Sequence, residues 1–320
     1  MNMMLRISTP ATLAFVWAGT LSAADPQLLN LVMPDAKVLA GVNVDQAKTS
    51  PFGQYVLAQF QAQDQHLREF TAQTGFDPTR DLHEILVASA GSQPNGPALT
   101  AALGTFSTDK INAAAQSAGA TSETYKGVTI LEDPKKANGY AFLNPTLAVA
   151  GDIASVKGAI DRQTAPAPLP AALLVQVNQL SAAEDAWAIS EIPPPNLKLP
   201  GNGGNTPAIP AAALQNIQQA SGGVKLAAQA VVVTGQLQAD TAANAKQLAD
   251  VLQFLVNLGL MQAQQNPQAA TLLKSVAVAA NGNLVNVSLS LPEAEAESLF
   301  PLKPKPGVAQ PNQARPRRRQ

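Results

Sequence analysis

The chain has 320 residues and a formal net charge of −1, and 46% of its residues are hydrophobic, 13% charged and 4% aromatic. This apolar content supports a packed core and excludes an intrinsically disordered chain. The chain contains no cysteine, which excludes disulfides, thiolate metal sites and a cysteine nucleophile.

Residues 1–24 have the organisation of a signal peptide. Arg6 supplies a positive charge, an apolar run follows it, and Ser22 and Ala24 place small residues before a cut at Asp25. An N-terminal membrane anchor is the alternative, but the apolar run is short for a span of about 20 residues. We therefore expect export to the periplasm or the medium, with no transmembrane segment in the mature chain.

Residues 25–162 predict a first α+β repeat. A helix over 50–75 begins with Ser50 as its N-cap and Pro51 in its first turn. Hydrophobic periodicity predicts two further helices, "TDKINAAAQSAG" and "DIASVKGAIDR". Alternation predicts five strands: "AKVLAGVNVD", "EILVASAG", "ALTAALGTF", "YKGVTILED" and "NGYAFLNPTLAVAG".

A Pro-rich linker at 163–170 separates this repeat from a second one at 171–300. The second repeat predicts a strand in "DAWAISEI", a short helix in "LQNIQQA", two strands in "GVKLAAQAVVVTGQLQAD" and a helix in "TAANAKQLADVLQFLVNLGL". Asn-Gly pairs at 138–139 and 281–282 predict a hairpin turn in each half.

Each half is thus interpreted as a β-α-β-β-α-β-β-α unit, and an internal duplication is the simplest explanation. Hairpins dominate, so the fold class is α+β, with mainly antiparallel sheets and helices packed on one face. The short linker leaves open whether the halves share one core.

Two segments, "MPDAKVLAGVNVDQAKTSPFGQYV" and "TGFDPTRDLHEILVAS", carry a family resemblance. They resemble the opening of a family of exported bacterial proteins of unknown function, over residues of about 30–160. The shared motifs are a helix begun by Ser-Pro-Phe-Gly and a turn of the form G-x-D-P-x-x-D-L. The resemblance implies export and a duplicated α+β fold, and it implies no reaction.

The stretch 74–91 has several ionisable side chains close together and contains His83, one of only two histidines. Asp77 before a proline predicts a helix cap, with Arg80, Asp81 and Glu84 on the solvated side. The functional alternative makes His83 and Glu84 a metal or acid/base pair. A helical zinc-protease site needs His-Glu-x-x-His, and Val87 occupies the second histidine position, so a zinc site is not expected.

Ser107 and Lys110 match the Ser-x-x-Lys pattern of penicillin-recognising enzymes at a predicted strand-to-helix junction. The companion Ser-Asp-Asn and Lys-Thr-Gly motifs are absent from the sequence. Ser107 or Thr108 is better explained as a helix cap, so Ser107 and Lys110, like His83 and Glu84, are only weak catalytic candidates. We expect no cofactor and no bound metal.

Residues 301–320 form a Pro-rich tail with six basic and no acidic residues. Without the tail and Arg6, 14 basic residues face 22 acidic ones, so residues 25–300 carry −8. We expect a disordered arm that contacts polyanions or an anionic surface through four arginines: Arg315, Arg317, Arg318 and Arg319. The acidic, aromatic-poor body does not favour specific nucleic-acid binding.

These observations favour a non-enzymatic envelope or extracellular protein that binds an unknown protein or envelope component. The alternative is a periplasmic carrier of a small apolar ligand in a cleft between the repeats. An exported hydrolase is the third hypothesis. A pocket lined by Val, Leu and Phe would favour the carrier, and convergent polar partners around Ser107 or His83 would favour the enzyme.

Overall fold

The computed structural model describes residues 23–63, 65–91, 96–135, 137–192, 214–263 and 266–299. The predicted signal peptide up to Ser22 and the C-terminal tail lie outside the described residues. None of the described helices is long and apolar enough to cross a membrane.

Across the described part of the chain, twelve strands form a single antiparallel sheet. Its order is β11-β12-β10-β9-β8-β1-β2-β3-β7-β6-β5-β4. The strands are Val38–Asn43 (β1), Leu82–Ser89 (β2), Ala98–Gly104 (β3), Thr121–Tyr125 (β4), Val128–Asp133 (β5), Asn138–Asn144 (β6), Leu147–Asp152 (β7), Ala186–Ser190 (β8), Ile217–Leu226 (β9), Ala230–Ala239 (β10), Val276–Asn281 (β11) and Leu284–Pro292 (β12). The predicted α+β class with an antiparallel sheet is confirmed.

Helices connect and flank these strands. They are Pro26–Leu29 (α1), Val44–Ala47 (α2), Pro51–Gln63 (α3), Gln65–Thr74 (α4), Pro78–Asp81 (α5), Thr108–Ser117 (α6), Ile153–Thr164 (α7), Ala171–Ala183 (α8), Ala242–Gln262 (α9), Pro267–Lys274 (α10) and Glu293–Leu299 (α11). Two predicted caps are confirmed: Ser50 Oγ accepts the Gly53 N–H at 2.9 Å, and Asp77 Oδ1 accepts the Thr79 N–H at 2.9 Å.

The two halves share one sheet. β8 of the second half pairs with β1 of the first, and β9 continues the sheet on the other side of β8. Gly41 on β1 lies opposite Trp187 on β8, and a Cβ at Gly41 would come within 2.5 Å of the indole ring. Because Gly41 has no side chain, the buried Trp187 indole fits against the backbone of β1 at the junction.

Helices cover both faces of this sheet. The first face carries α1, α7 and α8, which pack on a core that includes Leu39, Leu86, Val149 and Trp187. The second face carries α9, α10, α11 and α3 over the second half. It also carries α4 and α6 over the first half. The prediction that the helices pack on one face of the sheet is therefore wrong.

The strand order repeats between the halves. β1-β2-β3-β7-β6 corresponds in order to β8-β9-β10-β12-β11, while the hairpin of β4 and β5 extends only the first half. The predicted unit is therefore longer in the first half by two strands. The duplication itself stays a prediction.

Four local predictions were wrong. "YKGVTILED" is two strands, because Lys126 and Gly127 turn the chain with φ of 49° and 83°. Asn138 and Gly139 do not form the predicted turn. They are the first two residues of β6. The helix expected in 214–220 is replaced from Ile217 by β9, because pairing with β8 and β10 satisfies its backbone.

"NGYAFLNPTLAVAG" likewise folds as a hairpin, with β6 ending at Asn144 and β7 beginning at Leu147. The hairpin predicted near 281–282 is confirmed. Asn281 pairs with Leu284, and Gly282 has a φ of 58°, which suits a tight turn.

Candidate functional site

His83 and Glu84 point away from each other. The pairing of β2 with β3 shifts register between Leu82 and Glu84, which makes His83 the extra residue of a β-bulge. Its Nδ1 lies 2.8 Å from Asp45 Oδ2, and the imidazole is 46% exposed. Burial alone would raise the pKa of Asp45, but hydrogen bonds with Lys48 and His83 outweigh it and hold that pKa below its ordinary value.

Glu84 lies on the first face of the sheet, contrary to the solvated position expected from the sequence. Its carboxylate accepts the Asp25 N–H at 3.1 Å and 3.3 Å, and burial raises its pKa to about 6. The two side chains therefore do not form an acid/base pair. Among the described residues, no group of three His, Asp or Glu side chains is placed to hold a metal ion.

Ser107 occupies the N-cap position of α6, but its hydroxyl makes no capping hydrogen bond. Both Ser107 and Lys110 are exposed. None of the described hydrogen bonds joins the side chain of Ser107 or Lys110 to a buried polar group. The four tail arginines, Arg315, Arg317, Arg318 and Arg319, lie outside the described residues.

The described structure instead contains an apolar cavity that the sequence did not predict. It has a volume of about 320 Å³ and lies on the second face, between α4, α6 and strands β3, β6 and β7. Apart from two hydroxyl-bearing side chains, Thr100 and Tyr140, the side chains on this face that line it are apolar: Phe70, Phe76, Ala102, Phe106, Ile111, Ala115, Phe142, Ala148 and Ala150.

Five aromatic rings form a continuous series around this cavity. Phe70 lies 6.1 Å from Phe76, Phe76 5.6 Å from Phe106, and Phe106 5.2 Å from Phe142. Tyr140 ends the series at 5.6 Å from Phe142. The whole chain has nine Phe, three Tyr and two Trp, so this one site gathers five of fourteen aromatic residues.

Small side chains make the room that these rings enclose. Ala148 on β7 pairs with Ala102 on β3 and with Phe142 on β6, so alanines form the floor of the cavity. The Tyr140 hydroxyl donates to Asn112 Oδ1 at 3.2 Å, which satisfies the polar group of that ring outside the apolar lining. Burial raises the pKa of Tyr140 to about 12, so the phenol stays neutral.

The apolar wall continues across the second face toward the junction of the halves. Thr100 of the cavity pairs with Val87 on β2, and Val87 pairs with Ala40 on β1. Cross-strand partners share a face, so these residues form an apolar row. Val87 is 40% exposed and the neighbouring Val42 is 38% exposed, which shows that no described helix covers this part of the sheet.

A more polar groove of about 660 Å³ adjoins the cavity. The two spaces share Ala115, Tyr140 and Ala150 in their linings. The groove adds side chains with groups that are able to donate or accept hydrogen bonds: Glu132, Asp133, Lys135 and Asn138. A molecule with an apolar body and a polar end would find suitable surroundings for both parts.

The comparisons with known proteins give a fold similarity and no activity. No protein-family model and no curated protein sequence matches the chain, so the family resemblance over residues 30–160 stays a prediction. The fold is that of an α+β protein with one large antiparallel sheet.

Solved structures of a protein called TP0453 have a similar fold. Its crystal form III has a TM-score of 0.52 at 10% identity and covers 85% of this chain and 96% of TP0453. Crystal form I has a TM-score of 0.48 at 11% identity and covers 87% and 98%. At such identities the similarity concerns the fold alone.

Proposed function

We propose that this protein is an exported carrier that binds a small apolar molecule in the aromatic cavity under α4 and α6. The observation that supports this function is the cavity itself, with five rings around an alanine floor. Ligand sites are typically concave and largely apolar, with volumes from about 300 Å³. The cavity is about twice the size of the ~150 Å³ cavity that binds benzene in a protein interior.

The cavity supports the carrier over the two other hypotheses. A hydrolase needs a base that contacts a nucleophile, whereas the exposed His83 pairs with the Asp45 carboxylate and the exposed Ser107 has no base beside it among the described hydrogen bonds. An envelope scaffold does not require a concave apolar site of this kind. The carrier site was expected between the repeats, whereas this cavity lies within the first half and only its apolar wall extends toward the junction.

The adjoining groove defines the expected ligand more closely. A polar end placed beside Lys135 and Asn138 keeps its hydrogen bonds, while the apolar body replaces water in the cavity. The free energy of binding would come mainly from the apolar surface that leaves water, at about 25 cal/mol per Å².

A substitution on the cavity floor tests the proposal. Ala148→Phe places a ring where the ligand would lie, so we expect the mature protein to lose binding of a naphthalene-based fluorescent probe. Because the ring fills existing space, the variant should unfold at the same or a higher temperature. Ala277→Phe, on the exposed edge strand β11, is the matched control and should leave binding unchanged.

Native mass spectrometry of protein from its own host supplies the second measurement. A retained small molecule that is present in Ala277→Phe and absent in Ala148→Phe supports the carrier. Equal probe binding by the wild type and Ala148→Phe, or no probe binding by the wild type, contradicts it.

A further inference from the structure

Two consecutive backbone amides attach the start of the described chain to the first face of the sheet. The Ala24 N–H donates to Ser181 Oγ on α8 at 2.9 Å, and the Asp25 N–H donates to the Glu84 carboxylate on β2 at 3.1 Å and 3.3 Å. These contacts join residues 157 and 59 positions apart in the chain. The last residue of the predicted signal peptide and the residue that follows it are therefore both part of the described fold.

Glu84 has an incomplete set of partners in this arrangement. It is half-buried, and its neighbours in the sheet are neutral, namely Asn43 on β1 and Leu103 on β3. The charged group that faces it is the Asp25 carboxylate, which caps α1 by accepting the Gln27 N–H at 2.7 Å. Its described hydrogen-bond donor is thus an amide, and a half-buried carboxylate is stabilised far better by a cation.

Cleavage at the predicted site changes the chemistry of that donor. A signal peptidase that hydrolyses the bond between Ala24 and Asp25 adds the hydroxyl of water to the Ala24 carbonyl carbon and a proton to the Asp25 nitrogen. An α-amino group has a pKa of about 7.7–8.0, so near neutral pH it is largely an ammonium. The nitrogen that lay 3.1 Å from Glu84 Oε1 as an amide then carries a positive charge.

We propose that removal of the signal peptide after Ala24 turns the Asp25 nitrogen into the cationic partner of Glu84, so that maturation itself stabilises this end of the fold. Among the described residues no cation faces the half-buried carboxylate in the precursor, whereas the mature protein would hold an ion pair there. Processing therefore makes the contribution of Glu84 to the native state favourable, while it also removes the hydrogen bond of Ala24 with Ser181.

The position of the cut matters because the two amides have different acceptors. Cleavage after Ala23 would place the ammonium on Ser181, a neutral hydroxyl. Cleavage after Ala24 removes a buried methyl group, which is 5% exposed, and leaves Ser181 Oγ with its remaining hydrogen bond to the Val177 carbonyl at 2.7 Å. Only the second cut gives Glu84 an opposite charge.

The test compares Glu84→Gln in two forms of the full protein. The mature form is purified after export and sequenced, and the precursor with residues 1–24 is made by cell-free synthesis without membranes. At pH 7.5 we expect Glu84→Gln to lower the melting temperature of the mature form and to raise that of the precursor, by about 2–4 °C each. Glu69→Gln, an exposed helical control, should shift both forms equally.

The pH dependence of the precursor follows from the sign of the pKa shift. A carboxyl whose pKa is raised from 4.5 to about 6 in the folded state costs stability as the pH rises through that interval. The gain from Glu84→Gln in the precursor should therefore disappear below pH 4.5.

A direct measurement does not depend on how the variants fold. The pKa of the Asp25 α-amino group, followed by NMR in the wild-type mature protein, should lie about one unit above its ordinary value because of the nearby carboxylate. A mature chain that begins at another residue, an α-amino pKa at its ordinary value, or a Glu84→Gln effect of the same sign in both forms would overturn the proposal.

Discussion

Phe106 occupies the centre of the aromatic series, which makes its removal the most informative test of the cavity. The ring follows β3, is 9% exposed, and lies 5.6 Å from Phe76 and 5.2 Å from Phe142. Its backbone N–H donates to the Pro145 carbonyl at 2.9 Å, a bond that Phe106→Ala leaves in place. The substitution therefore removes side-chain packing alone.

The expected loss of stability follows from the surroundings of the ring. Phe→Ala in a fully packed core costs about 3–5 kcal/mol. One side of Phe106 already faces the cavity and forfeits some dispersion contacts, so we expect a loss of about 2–3 kcal/mol. Two ring pairs, each contributing about 0.5–1.5 kcal/mol beyond the buried area, account for part of that loss.

Urea unfolding measures this loss as a lower midpoint with an unchanged m-value. Phe254→Ala on α9 is the matched control, since that ring is 63% exposed and should change stability by less than about 0.5 kcal/mol. Losses of similar size in the two variants, or a change below about 1 kcal/mol for Phe106→Ala, would refute the description of Phe106 as a wall of a packed aromatic site.

Two further predictions concern the stretch around His83 and the tail. Asp77→Ala should lose about 0.5–2 kcal/mol because it removes the cap of α5, while His83→Ala should change stability by less than about 0.5 kcal/mol and leave metal content unaltered. Calorimetry and elemental analysis check both, and zinc that disappears in His83→Ala contradicts the structural role. Deletion of residues 312–320 should leave the melting temperature unchanged and abolish salt-sensitive co-sedimentation with anionic vesicles, and equal sedimentation at low salt contradicts the surface contact.

Local patterns in the sequence predicted the elements well and their turns less well. Ser50 and Asp77 cap helices as predicted, because capping depends on residues a few positions apart. The turn at Lys126 and Gly127 was missed because the strand before it, β4, is polar and exposed and shows no apolar alternation. Asn138 and Gly139 have the residue types of a tight turn, yet they belong to β6 because they pair with β7. The sequence alone does not specify that pairing.

The cavity could not be predicted from the sequence, for a different reason. Its rings come from α4, β6 and the segments after α4 and β3, and each ring separately fits an ordinary core position. The available signal was the alternation of Tyr140 and Phe142 opposite small residues on neighbouring strands. That signal becomes informative only when the register pairs Phe142 with Ala148 and Ala148 with Ala102.

Strand β2 contributes to both proposed sites, and its alternation keeps them apart. Glu84 points to the first face, toward Asp25, whereas Ile85 and Val87 point to the second face and extend the apolar wall of the cavity. The bulge at His83 lies directly before Glu84 and sets which residues of β2 point to each face, because a shift of one residue would exchange them. Since no side chain is shared, Glu84→Gln should change stability without altering probe binding, and Ala148→Phe should alter binding without changing the pKa of the Asp25 amine. The two proposals can therefore fail independently, and an effect of Glu84→Gln on probe binding would show that the faces are coupled through the strand.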